Sequence, residues 1–434
     1  NTLCVYVVKK QINIKKKTMS KKLKIGLFGF GCVGQGLYHV LNNSTGFKAD
    51  IAKIAVKNKN KPRTVGAELI TYDKWEILNN PEIDVVVELI DDADEAFHIV
   101  SEALKKGKHV VTANKKLLAT HLEELYRLQQ ENNVSLLYEA SACGSIPIIR
   151  SLEEYFDNEE LEKVSGIFNG TTNYILTKTI AEKLSYAEAL KQAQDKGFAE
   201  SDPTNDVEGY DAKFKAVIIA LHAFGLIIKQ EEVLNIGITT LHDNDIKYAS
   251  EKGYKIKLTP IIQRLGDDKV SVFVAPRFIK EHNHLYNVDN EFNGVIVEGK
   301  FSGEQFLQGR GAGSYPTGAA VLSDISALSH GYKYEFKKYA QKHAPTFTND
   351  VVIEAYFRYN NADDLKQIVF DEISEKYTSK DYHYVVGKVN LTHLIANRDY
   401  ILKNNLFISL VDEKVSLAKD ETRKTVLKKE LVNN

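Results

Sequence analysis

The chain has 434 residues, enough for two or three domains, and its formal net charge of -1 gives no global field to draw in nucleic acid or an acidic membrane. With 43% hydrophobic and 26% charged residues the composition is globular, and no apolar run reaches the roughly 18–20 residues that would span a bilayer. Three widely spaced cysteines, Cys4, Cys32 and Cys143, form no disulfide framework and fit a reducing, cytoplasmic compartment, while twelve histidines without HxxxH spacing argue against a transition-metal site.

In chain order, residues 1–22 read as a leader outside the fold. The only methionine is Met19, and the apolar patch precedes the lysines, the reverse of a secretory signal. LKIGLFGFGCVGQGLYHVL (23–41) is then an apolar strand, a glycine turn and a helical pattern. In Gly29-x-Gly31-x-x-Gly34 the first glycine permits a tight turn, the second lets backbone approach a pyrophosphate, and the third allows close helix–strand packing. Gly29, Gly31, Val33 and Gly34 are the expected dinucleotide contacts there.

A second strand, DIAKIAVK (50–57), ends in Lys57 with Lys59, Lys61 and Arg63 close behind. An acid at this position would bond the ribose hydroxyls of NAD, whereas a basic end accepts a 2′-phosphate, so NADP is favoured and NAD stays open. Strands follow at VVVELI (85–90), HVVTA (109–113) and SLLYEAS (135–141), with helices over 94–106 and 120–132 between them. This alternation predicts a parallel, doubly wound sheet of Rossmann type. Lys115 falls at a carboxyl strand end, where ligands bind in such sheets. The first domain is expected over 23–147, with a return helix at 314–332.

A second, α+β domain is expected over 148–313. It holds a helix (148–156), a strand that turns into a helix through Asn169-Gly170-Thr171-Thr172-Asn173, and strands at 255–265, 270–279 and 293–301 suited to substrate binding and dimerisation. The stretch KGFAESDPTNDVEGYDAKFK (196–215) concentrates Glu200, Asp202, Asp206, Glu208 and Asp211 around a turn. Asp211 and Lys215, four apart at the start of the apolar segment AVIIALHAF, share one helix face. That arrangement suits binding a small amino-bearing substrate and moving a proton on it; an exposed ion pair on a capped helix is the alternative. A C-terminal α+β module is expected over 345–434, as a strand (VVIEAYFRY), a helix (DDLKQIVFDEI) and a strand (YHYVVGKVNL), followed by a polar, Lys-rich end.

These motifs in this order resemble the homoserine dehydrogenase family. Ala193, Gly197, Asp202-Pro203, Asp206, Gly209, Asp211 and Lys215 match its signature, and FNGTTNYIL, VVTANK, YEAS and the GAG-x-x-PT turn are similar to its other motifs. The resemblance covers residues 23–332 and looks like the monofunctional kind. It implies reversible reduction of L-aspartate 4-semialdehyde to L-homoserine with NAD(P)H, in threonine, methionine and isoleucine biosynthesis, by a homodimer or higher homo-oligomer. It implies that Lys215 is the proton donor and Lys115 a second catalytic lysine that also meets the cofactor. Two neighbouring ammonium groups are then expected to lower each other's pKa. By the same resemblance Glu200 and Asp211 bind the substrate ammonium with Asp206 in support, Asp202 and Glu208 shape the turn, and Gly197 and Gly313 contact the cofactor. A structural sodium ion on the Glu139 side chain and the carbonyls of Ala142, Gly144 and Ile146 is also implied. The sequence departs from the family after VVVELI, where Asp91-Asp92-Ala93-Asp94 replaces small residues and would repel a phosphate. The tail, with Thr392-His393-Leu394, distantly resembles an ACT regulatory domain, which implies threonine feedback. An oxidoreductase for another amino-acid aldehyde or keto acid and a non-catalytic dinucleotide sensor are the competing readings; Lys115, Asp211 and Lys215 together speak against the second.

Overall fold

The computed structural model describes residues 22–418 apart from 159, 267, 342–344 and 412. The leader, except Lys22, and the chain from 419 onward lie outside the described residues.

Six strands form the first sheet: β1 (Lys24–Phe28), β2 (Asp50–Ala55), β3 (Ile70–Thr71), β4 (Val85–Glu88), β5 (His109–Thr112) and β6 (Leu136–Leu137). Their order is β3-β2-β1-β4-β5-β6, and every pairing is parallel. Connections diverge between β1 and β4, which opens a crevice at the carboxyl ends of those strands. The all-buried run VVVE of β4 is what a parallel strand covered on both faces requires.

Two boundaries differ from the sequence expectation. The strand expected over 135–141 ends at Leu137, and Glu139–Ser141 form a 3-10 turn. There the Glu139 carboxylate turns to accept the N–H groups of Ile149 at 2.9 Å and Arg150 at 2.8 Å, which fixes the start of the next helical segment. The helix expected over 120–132 begins earlier, at Lys115, just past the carboxyl end of β5, because the Asn114 side chain caps the helix Lys115–Glu131 through Leu117 N at 3.0 Å.

The return helix runs Ser314–Leu328 and packs on the first helix, Cys32–Asn43. A Cβ on Gly36 would lie 2.0 Å from Ser314 O, and one on Gly318 would lie 2.6 Å from Leu37 N. Glycine at both positions lets the two backbones touch, which brings Gly313 to the glycine turn 282 residues upstream, where Ser314 Oγ donates to Cys32 O at 2.8 Å.

The second sheet is built on β7 (Leu161–Ile167), β8 (Leu234–Asn235) and the long hairpin β9 (Lys255–Leu265) and β10 (Lys269–Ile279), with β11 (Phe292–Gly299) and β12 (Gly303–Arg310) at one edge. The helices Gly170–Ala181 and Tyr210–Phe224 pack against it. Residues 211–224 are all buried, so this helix is enclosed on all sides and Asp211 and Lys215 are carried inside with it.

The C-terminal strands extend this sheet from β10. They are β13 (Thr346–Phe347), β14 (Val351–Tyr359), β15 (Glu372–Thr378), β16 (His383–Asn390), β17 (Phe407–Leu410) and β18 (Ser416–Leu417), with the path β10-β17-β14-β16-β15. The helix expected over 363–373 is absent. A 3-10 turn, Ala362–Leu365, forms instead, held by Asp364 accepting from the N–H groups of Asn360 and Asn361; residues 366–371 are irregular, and only Glu372 and Ile373 of the segment enter edge strand β15. Phe273 and Ile261, on the side of the sheet opposite the buried helix, join Val351, Phe357 and Leu410 in a second core that seals the module to the sheet.

Candidate active site

The site forms where β7, the acidic loop and two helices meet. Asn169 follows β7 and caps the helix Gly170–Ala181, its Oδ1 accepting from Thr172 N at 2.8 Å. The amide is thereby oriented so that Nδ2 donates to Asp206 Oδ1 at 2.6 Å and to Asp211 Oδ2 at 2.9 Å. Gly209, with φ 81°, adopts the left-handed conformation that turns the acidic loop into the helix Tyr210–Phe224. One turn into that helix, Lys215 Nζ donates to Asp211 Oδ2 at 2.7 Å and to Phe168 O at 2.6 Å. From the first sheet, Lys115 Nζ lies 2.8 Å from Asp211 Oδ1. One carboxylate thus holds two ammonium groups, one on each oxygen. Asp211 is 4% exposed and Lys215 7%, whereas the Lys115 side chain is 42% exposed, so the cluster is dry at Lys215 and opens towards Lys115.

The electrostatics follow from that geometry. Burial works to raise the Asp211 pKa, but Lys115, Lys215 and the Asn169 amide outweigh it and hold the group well below the usual carboxylate range. Burial and the charge of Asp211 push Asp206 up, against the pull of Asn169 and the lysines. Asp211 raises the pKa of Lys115 against burial. This corrects the expectation of mutual depression between the two lysines: the carboxylate stands between them, and its attraction exceeds their repulsion at Lys115.

Around the nucleotide turn, Gly29 has φ 92°, and a Cβ there would meet Leu89 O at 2.5 Å. A Cβ on Gly34 would lie 2.4 Å from Gly29 O, while Gly31, the N-cap of the first helix, faces open space. Val33 is half-buried in the first turn of that helix. Gly313, with φ 121°, caps the return helix, so two helix N-termini converge beside the turn, an arrangement that favours an anion. Gly197 has φ 73° and is exposed just past the helix Tyr186–Asp195. Lys57 is exposed beyond β2, while the Arg63 guanidinium reaches back to Phe30 O at 3.4 Å and Asn58 O at 3.1 Å. Asp92 of the acidic departure caps the helix Ala93–Lys105 through Asp94 N and Glu95 N, which explains an acid there without a ligand.

Glu200 is exposed and stands apart from the hydrogen-bonded cluster; its carbonyl accepts from Gln194. Asp202 caps the turn through Thr204, and Glu208 accepts from Thr239 Oγ1 at 2.6 Å, so both shape the loop. Around Glu139, the side chain of Asp324 accepts from Glu139 N, and Arg150 reaches Asp324 Oδ1 at 3.3 Å. Ala142 and Ile146 are buried, and Gly144, with φ 58°, lies against Gly311. Among the described residues no cluster of three or more His, Cys, Asp or Glu side chains could hold a metal. The sequence did not reveal Asn169 as the joint between Asp206 and Asp211, nor the carbonyl of Phe168 as a partner of Lys215. An Asn between a strand and a helix is a capping signal, and it could have pointed to Asn169.

A parallel sheet of this order, two helix N-termini at its glycine turn, and a lysine–carboxylate–lysine cluster beyond its carboxyl edge define an NAD(P)-dependent oxidoreductase. Residues 29–139 match the family model described as homoserine dehydrogenase, NAD binding domain, and residues 147–326 match that of homoserine dehydrogenase. The homoserine dehydrogenase of Bacillus subtilis is 42% identical over 317 residues, 71% of this chain and 73% of its own length. That of Lactococcus lactis is 33% identical over 378 residues, 83% and 88% of the two chains. The crystal structure of the Thiobacillus denitrificans homoserine dehydrogenase superposes with a TM-score of 0.77 at 30% identity, over 92% of this chain and 99% of that one. The chain belongs to the homoserine dehydrogenase family. It acts on a CH–OH group with NAD(P), interconverting L-aspartate 4-semialdehyde and L-homoserine.

Proposed function

We propose that Lys215 is the proton donor of this reaction and that NADPH is the preferred reductant. The observation that carries the first part is the sharing of Asp211 between Lys115 and Lys215 at 2.8 and 2.7 Å. The bound dinucleotide supplies the hydride to the aldehyde carbon. The alkoxide that forms takes a proton from Lys215 Nζ, which Asp211 and Phe168 O aim and keep dry, and the Lys115 charge stabilises the oxyanion. Asp211 already accepts from Lys115, Lys215 and Asn169, so the substrate ammonium falls chiefly to Asp206, with Glu200 closing over it from the exposed loop.

The turn Gly29–Gly34, the return-helix start at Gly313, and Gly197 hold the dinucleotide in this reading. Arg63, anchored beside the glycine turn, and Lys57 meet the 2′-phosphate. A hyperthermophilic archaeal homoserine dehydrogenase, whose structure is in complex with NADPH, superposes with a TM-score of 0.63 at 25% identity, which supports this choice. A structural sodium ion belongs to this reading, and the Glu139 side chain with the carbonyls of Ala142, Gly144 and Ile146 would hold it as oxygen ligands. Residues 23–147 with the return helix, 148–313 and 345–434 act as three units. In the third, a strand, a 3-10 turn, two strands, two short helices and a strand follow one another over Val351–Leu410; in this reading it is an ACT-like regulatory module and the seat of threonine feedback. Edge strand β12, beside Phe301 at 75% exposure, is the face for a homodimer. No helix among the described residues is long and apolar enough to cross a membrane. In this reading the enzyme works in the cytoplasm, on the pattern of its widely spaced cysteines.

Initial rates of aspartate semialdehyde reduction with NADPH and with NADH, with and without threonine and sodium, test this reading. A higher kcat/KM with NADPH supports it, and equal efficiency with both cofactors contradicts the preference.

A further inference from the structure

Glu88 is the last residue of β4, fully buried, and sits between the glycine turn and the Lys115 helix. In register it pairs with Phe28 of β1 on one side and with Thr112 of β5 on the other. Its Oε1 accepts from Ile90 N at 2.7 Å, and its Oε2 accepts from Thr112 Oγ1 at 2.5 Å. Thr112 Oγ1 in turn accepts from Asn114 N at 3.0 Å, and Asn114 Nδ2 donates to Ile90 O at 3.1 Å, which closes a ring of hydrogen bonds across two strand ends. The other side-chain atom of Asn114 caps the helix that begins at Lys115. A buried carboxylate in a parallel sheet is costly, and a satisfied, cyclic network is the condition under which one is kept.

We propose that Glu88 is a positioning residue for the reaction: its carboxylate locks the ends of β4 and β5 together so that Asn114 starts the helix in the place that sets Lys115 on Asp211. This rests on the assignment of Lys115 to the reaction. Protonation puts a donor on one carboxyl oxygen, which either displaces the Ile90 N–H from Oε1 or reverses the Thr112 bond at Oε2, and so weakens the ring. Burial pushes Glu88 up to about 7 against its hydrogen bonds with Thr112, Ile90 and Asn114, and Asp91, the charged group facing it, pushes the same way as burial. The lock is therefore loosened on the acid side of neutrality.

The test uses the full chain and four variants, Glu88→Gln, Thr112→Val, Thr112→Ser and Lys115→Ala. We expect Glu88→Gln and Thr112→Val each to lower kcat at pH 8 about tenfold, since small misplacements of a reacting group cost at least that much, with the KM for NADPH little changed. Glu88→Gln should also remove the acid limb of kcat near pH 7, and Thr112→Ser should restore the wild-type rate. A Glu88→Gln enzyme with wild-type kcat and acid limb, or one that loses only melting temperature, overturns the proposal, provided Lys115→Ala is slow. If Lys115→Ala itself keeps the wild-type rate, the assignment of Lys115 fails instead, and the proposal with it.

Discussion

Replacing Asp211 by Asn removes one charge and keeps the shape. The Lys215 pair is 2.7 Å long with both side chains under a tenth exposed, and breaking a buried pair by deleting one partner costs about 3–5 kcal/mol. The Lys115 pair, with Lys115 42% exposed, adds less than about 1 kcal/mol. The Asn carbonyl still accepts one lysine proton and Lys215 keeps its bond to Phe168 O, so roughly half of the larger cost should remain, a net loss of about 2 kcal/mol. Thermal melts of the two proteins at pH 7.5 should show a fall of several degrees. Turnover should drop by about 10²-fold or more, because Lys215 is no longer aimed. Lys115 also loses the charge that holds its pKa up, so the alkaline limb of kcat should move to lower pH. An Asn variant with unchanged melting temperature and kcat would refute the claim that Asp211 organises the two lysines.

Gly34→Ala should weaken NADPH binding about tenfold, because its Cβ would overlap Gly29 O at 2.4 Å and push the turn open; fluorescence titration of NADPH checks this, and an unchanged Kd contradicts it. Arg63→Gln should raise the KM for NADPH about tenfold through loss of a charge-assisted phosphate contact while leaving that for NADH within twofold, and parallel changes with both cofactors would deny the 2′-phosphate role. Burial, with Glu139, raises Asp324 to about 8, so its contribution to stability is full below the unfolded pKa near 4 and is lost as pH rises through 8. Asp324→Asn should therefore flatten the decline of melting temperature between pH 5 and 8 relative to the wild type, and an identical slope in both would show that Asp324 titrates normally. Arg398 of the C-terminal module donates to Tyr210 Oη at 3.0 Å, directly before Asp211, so Arg398→Ala should lower kcat a few-fold with the KM for NADPH unchanged; a wild-type rate would show that this contact is structural alone.

The architecture was legible where local chemistry and tertiary demand agree. Glycines at 29, 31 and 34 between an apolar run and a helical pattern have one physical use, and the alternation of elements dictates the parallel sheet. Asp211 and Lys215 were readable because helix periodicity fixes their relation. What escaped depends on partners far away in sequence. Residues 363–373 carry a helical pattern, yet pairing with β16 and the Asp364 turn made a strand of their end, leaving Ile373 53% exposed. The relation of Lys115 to Lys215 was expected as repulsion because the sequence does not reveal that Asp211 would stand between them. Glu200 and Asp206 look equivalent as acids in one loop; the Asn169 amide, 37 residues from Asp206, is what separates their roles.

The role of Lys215 is tested most directly by the rate of NADPH-dependent aspartate semialdehyde reduction by Lys215→Ala, measured beside its affinity for NADPH. If Lys215 donates the proton, kcat falls by about 10²–10⁴-fold with cofactor binding unchanged. A kcat within a few-fold of the wild type would show that the proton comes from another group and that the buried Asp211–Lys215 pair serves the fold alone.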